Sequence, residues 1–109
     1  MLDHRQMRKD TADYIVKLHT KTPGMDTPIK DLSGGNQQKV MLARWLMTKP
    51  RVLIIDEPTK GIDIGARMSI YQIIHQLTEA GIGILMLTSD MVELIGLSDR
   101  TLVFYEGKI

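Results

Sequence analysis

The chain has no cysteine, which removes a disulfide framework and any thiolate metal site from consideration. It has no apolar run approaching the ~20 residues that a membrane span needs, and no signal-peptide pattern. Any association with a membrane is therefore expected to run through a partner. Charge of one sign is also missing: 14 basic and 13 acidic residues leave a net +1, so nothing argues for a polyanion partner such as nucleic acid. No internal repeat or low-complexity segment stands out. The length of 109 residues suits one domain with a modest core. Methionine is the exception to this sparseness, with eight copies. Most fall in helical patterns and read as flexible core filler. His4, His19 and His75 lack metal-ligand spacing and are expected at the surface or the core edge.

What is present begins with Val52-Leu53-Ile54-Ile55-Asp56-Glu57-Pro58-Thr59. Four unbroken apolar residues suit a strand buried on both faces of a parallel sheet. Ligands of open α/β sheets bind at the carboxyl ends of strands, where Asp56 and Glu57 would sit. An Asp there can hold magnesium through water, and an adjacent Glu can deprotonate an attacking water. The plainer alternative is a strand that happens to end in two solvated acids.

Upstream, Leu32-Ser33-Gly34-Gly35-Asn36-Gln37-Gln38 opens a helical pattern. Glycines let backbone N–H groups approach a phosphate, the Ser33 hydroxyl adds a donor, and the helix dipole favours an anion. Alone, this segment reads equally as a helix cap. Together with the acidic strand that follows, it is far more specific.

Punctuation sets the rest. Residues 7 to 20 are expected as a helix with Ala12, Ile15, Val16 and His19 near one face. Residues 22 to 28, with two prolines and a glycine, form a loop. A helix over 36 to 48 carries Trp45 as a packing residue, with Pro50 beyond its end. A long helix over 64 to 80 presents Ile70, Ile73, Ile74 and Leu77, with Asp63 as N-cap and Gly81 at C′. A second strand covers 82 to 88, reached by a right-handed parallel crossover. Asp90 and Glu93 suggest a capping box for a short helix. A third strand is expected over 101 to 105, with Glu106-Gly107 as a turn into a further strand.

In combination, these segments resemble the ATP-binding subunit of ATP-binding-cassette transporters, from about residue 10 to 109. Leu32 to Asn36 matches the signature loop of that family, Val52 to Glu57 its second acidic (Walker B) motif, Lys60-Gly61-Ile62-Asp63 its D-loop, and Thr88-Ser89-Asp90 its switch loop. The wording of these motifs is most similar to sugar importers of the ribose, galactose and xylose type. The resemblance implies an α/β fold: part of a P-loop NTPase (RecA-like) parallel sheet with part of the helical subdomain. Residues 1–48 would belong to the helical subdomain and 49–109 to the RecA-like core.

The same resemblance implies ATP and Mg2+ as ligands. Glu57 would be the catalytic base and Ser89 the switch residue. Asp56 would position the metal. Ser33, Gly34, Gly35 and Asn36 would face the γ-phosphate held by a second cassette paired head to tail, with Asp63 at the contact between cassettes. Transmembrane permease subunits and, indirectly, a periplasmic sugar-binding protein are the implied partners, at the cytoplasmic face of the bacterial inner membrane.

There are two departures. Ser89 stands where the family usually has His, as in the second cassette of such importers. It can hydrogen-bond but cannot carry charge near neutral pH. In addition, no Gly-x-x-x-x-Gly-Lys-Ser/Thr occurs in the sequence, so the phosphate-cradling loop is missing. We therefore expect the C-terminal part of a second cassette, truncated at both ends and inactive in isolation. The alternatives are a weakly hydrolytic regulatory cassette that lends its signature face to a partner's ATP, and a DNA-repair or chromosome-maintenance relative. The absence of heptads and of a basic patch disfavours the latter.

Overall fold

The structure, a computed structural model, describes residues 3–109. Helix α1 (His4–Lys17) starts where the Asp3 carboxylate accepts the Gln6 N–H at 3.0 Å, three residues earlier than the apolar pattern suggests. It stops before His19, whose φ of 52° is left-handed. The expected apolar face holds only in part: Ala12 and Ile15 are half-buried. Val16 is 74% exposed, His19 is outside the helix, and no residue of α1 is buried. The core contact at this end is made by Leu18, with Tyr14 packed beside it.

A single 3₁₀ turn (Ile29–Asp31) leads into helix α2 (Gly34–Leu46). The Ser33 hydroxyl accepts the Asn36 N–H. That cap draws both glycines into the first turn, so α2 begins two residues before the expected 36. Leu42, Ala43 and Leu46 face the core, whereas Trp45 is 57% exposed and packs nothing into it. Lys39 lies buried on the inner face and donates from Nζ to the His19 carbonyl at 3.2 Å. Burial, and secondarily the charge of Lys21, lower its pKa below the ordinary lysine value.

Strand β1 (Val52–Asp56) and strand β2 (Gly83–Leu87) pair in parallel, with Val52 opposite Gly83 and Asp56 opposite Leu87. Helix α3 (Ile64–Glu79) makes the crossover. Asp63 caps it by accepting the Ala66 N–H at 2.9 Å, and Gly81 follows its end at φ 94°. Ile70, Ile73, Ile74 and Leu77 join Leu53, Ile55 and the α2 residues in one apolar cluster.

The expectation that β1 is buried on both faces fails. Its burial alternates, because α2 and α3 cover only the face of Leu53 and Ile55. Val52 and Ile54 on the other face are 64% and 66% exposed.

Helix α4 (Met91–Leu97) follows β2. The expected third strand at 101–105 does not form: the sheet has two strands, and only Tyr105 bridges Lys108. The turn between them is as expected, with left-handed φ at both Glu106 and Gly107, as a type I′ hairpin turn requires. The methionines also depart from expectation. Met7, Met41, Met47, Met68 and Met91 are exposed, and no described methionine joins the buried cluster.

Candidate functional site

Two backbone segments leave the carboxyl end of the sheet side by side, and the candidate catalytic groups lie on them. The Glu57 N–H donates to the Leu87 carbonyl at 2.7 Å, extending the ladder by one bond. Glu57 then takes φ 48°, a left-handed conformation that costs a non-glycine residue about 1–3 kcal/mol. The turn brings the Glu57 carboxylate onto the second segment, where Oε1 accepts the Ser89 N–H at 2.9 Å. The sequence-derived pair Glu57 and Ser89 is thus in direct contact. The contact uses the backbone of Ser89, and its hydroxyl takes no part.

Asp56 is exposed at the strand tip, and its carboxylate accepts no hydrogen bond from the described residues. Those residues hold no cluster of three or more His, Asp or Glu side chains. The hard oxygen donors of a free carboxylate suit magnesium, which keeps several waters and takes one or two carboxylates beside substrate phosphates.

Sequence reasoning missed the side chains that hold these segments. Glu93 is 2% exposed. One of its oxygens accepts the Thr59 hydroxyl at 3.0 Å, and the other accepts the Thr88 hydroxyl at 2.8 Å. Asp90 caps α4 by accepting the Val92 and Glu93 N–H groups. The reciprocal half of the expected capping box is absent, because the Glu93 carboxylate is engaged by the threonines and the Asp90 N–H goes to Thr88 Oγ1 instead. Arg67 adds a second brace, donating to the Ile62 carbonyl and pairing with Asp90 at 3.2 Å. An acid in a short amphipathic helix is an everyday surface residue in sequence, so only its burial singles Glu93 out.

The signature segment forms a separate cluster at the start of α2. The first N–H groups of a helix have no intrahelical acceptor, and those of Gly34 and Gly35 donate to no other described backbone group. The Ser33 hydroxyl accepts the Asn36 side-chain amide at 2.8 Å, and Asn36 Oδ1 accepts the Lys21 N–H at 2.9 Å. The two glycines differ. Gly34 is exposed. Gly35 is buried against α3, where an added Cβ would lie 2.7 Å from Ala66 Cβ. Gly35 is therefore required for helix packing whatever its role toward a ligand. Asp63 caps α3 just beyond Ile62, whose side chain also lies beside Gly34 and Gly35.

Residues 3–60 match the family model described as ABC transporter. The chain belongs to that family.

Two curated relatives are 54% and 53% identical to it. One is the galactose/methyl galactoside import ATP-binding protein MglA 1 of Photobacterium profundum, and the other the ribose import ATP-binding protein RbsA of Clostridium perfringens. The alignments cover 100% and 99% of this chain, which spans 22% of the length of each relative. Among solved structures, an ATP-binding cassette determined as a dimer in a post-hydrolysis state with ADP and Pi superposes with a TM-score of 0.70. It is 26% identical over 84% of this chain and 40% of that one.

Proposed function

We propose that this chain forms part of an ATPase subunit that drives sugar import, with Glu57 as the general base on water. The observation that carries the reading is the Ser89 N–H bond to Glu57 Oε1 at the carboxyl end of β1. One carboxylate oxygen is held by a fixed backbone donor, and the other remains available to take a proton. The strained backbone of Glu57 supports the same reading, since such strain clusters at functional sites. Asp56 would hold magnesium, which supplies charge neutralisation for phosphoryl transfer when bound.

Ser33, Gly34, Gly35 and Asn36 would present a helix N-terminus to the γ-phosphate of an ATP bound by a second cassette, with Asp63 at that contact. The dimeric cassette among the solved relatives favours this arrangement. Residues 1–48 and 49–109 would then belong to the helical and RecA-like parts of the cassette. Relatives named for galactose and for ribose match this chain almost equally well, so sugar choice would lie with the permease and the periplasmic binding protein. The assembly would work at the cytoplasmic face of the inner membrane. No helix among the described residues is long and apolar enough to cross a membrane, so attachment would pass through the permease.

The deciding experiment is Glu57→Gln in an import subunit that carries this chain. Loss of a general base lowers turnover about 10²–10⁴-fold, while ATP binding should persist. Unchanged turnover would instead favour the regulatory reading, in which this cassette only lends its signature face. Ser89 is the residue that keeps that second reading in play.

A further inference from the structure

We infer that Glu93 is a positioning residue for the Glu57 carboxylate, acting through Thr59 and Thr88; the inference rests on the proposed role of Glu57. Thr59 lies two residues beyond Glu57, and Thr88 immediately precedes Ser89. The buried Glu93 carboxylate joins the two hydroxyls. It therefore ties together the two segments whose spacing sets the bond from Ser89 N–H to Glu57 Oε1. The direction of the bonds is determined by the neighbours. Thr88 Oγ1 already accepts the Asp90 N–H at 3.0 Å, so its proton is directed at Glu93. Thr59 is also 2% exposed, so its hydroxyl is turned to the carboxylate and away from solvent.

A carboxylate buried without a cation is costly unless hydrogen-bonded. Among the described residues, no Lys, Arg or His forms an ion pair with Glu93. An apolar side chain would fill this space at lower cost if filling were its only task. A carboxylate offers two acceptors at a fixed separation, which is what a clamp between two hydroxyl donors needs.

The test reads the Ser89 amide by ¹⁵N–¹H NMR of the 109-residue chain at one fixed neutral pH. The shift difference at Ser89 between the parent and Glu57→Ala measures the bond to the carboxylate. On the Glu93→Met background that difference should fall by more than half and Ser89 exchange should quicken, while α3 amides stay protected. Glu93→Gln can accept from Thr88 and donate to Thr59, so it should restore most of the difference.

An unchanged difference on the Glu93→Met background would overturn the inference. So would a loss at Ser89 that merely tracks loss of α3 protection, since Glu93 would then be only a fold residue. If Glu93→Met does not fold, the shape-preserving Thr59→Val and Thr88→Val decide by the same criteria. The NMR result is independent of turnover. A coupled Ser89 amide together with an active Glu57→Gln subunit would sink the proposed function and leave the clamp standing.

Discussion

The contact between Ser89 and Glu57 is made by a backbone N–H, which any residue except proline can supply. Replacing the family's usual His by Ser thus removes a titratable side chain while leaving the bond that orients the candidate base. Ser89→Ala should keep turnover of an intact subunit within about threefold, against the about 10²–10⁴-fold loss for Glu57→Gln. A large loss in Ser89→Ala, measured in single-turnover hydrolysis, would show that the hydroxyl matters.

Lys39 allows a pH prediction at the same scale. Its folded pKa lies below 10.5, so the unfolded chain binds the proton more tightly. The resulting penalty is fully present below the folded pKa and is relieved as pH rises toward 10.5, which makes stability climb over that window. Denaturation of the parent and of Lys39→Met should show the parent gaining on the variant as pH rises through the alkaline range toward 10.5. A gap independent of pH would refute the assignment.

Between elements, the start of α2 packs closely against the start of α3. Gly35→Ala would push a methyl to 2.7 Å from Ala66 Cβ, and overpacking of this kind costs about 1–3 kcal/mol. The second-site change Ala66→Gly should recover part of that stability in chemical denaturation, and additive losses would show that the two positions do not meet. Ile70, at 0% exposure, belongs to the apolar cluster that α2 and α3 share. Ile70→Ala should cost about 2–5 kcal/mol, enough to unfold a marginal domain.

At the scale of the whole molecule, surface is in excess. A compact monomer of 12.3 kDa exposes about 6,100 Å², and this chain exposes 8537 Å². Its radius of gyration of 15.2 Å likewise exceeds the about 13 Å expected for this length. The excess is apolar in part: Val52, Ile54, Leu85 and Leu87 lie exposed on one sheet face. Both strands are edge strands, and uncovered apolar edges self-associate. The purified chain should therefore scatter light increasingly with concentration, and Ile54→Lys with Leu85→Lys should suppress this. Equal scattering by parent and variant would place the association elsewhere. ATP affinity should be weak, because the sequence lacks the lysine and backbone nest that anchor a triphosphate. A micromolar dissociation constant by calorimetry would contradict this.

The local pattern alone determined β1, α3, the cap at Asp63, the left-handed Gly81 and the turn at Glu106-Gly107. Each depends on neighbours within a few residues. Ser33 to Gly35 and the Asp56-Glu57 pair stand out in the sequence as short runs with unusual chemistry, whereas Asn36, Asp63 and Ser89 were singled out as site residues by the family resemblance. Three-dimensional packing decided the rest. A one-sided helix layer left Val52 and Ile54 exposed. Residues 101–105 pair with neither β1 nor β2. Gly35 became a packing requirement only once α3 lay against it. The meeting of Glu93 with Thr59, 34 residues away in sequence, has no local signal at all. Burial and long-range hydrogen bonding belong to the folded arrangement, and a single chain read in order does not contain them.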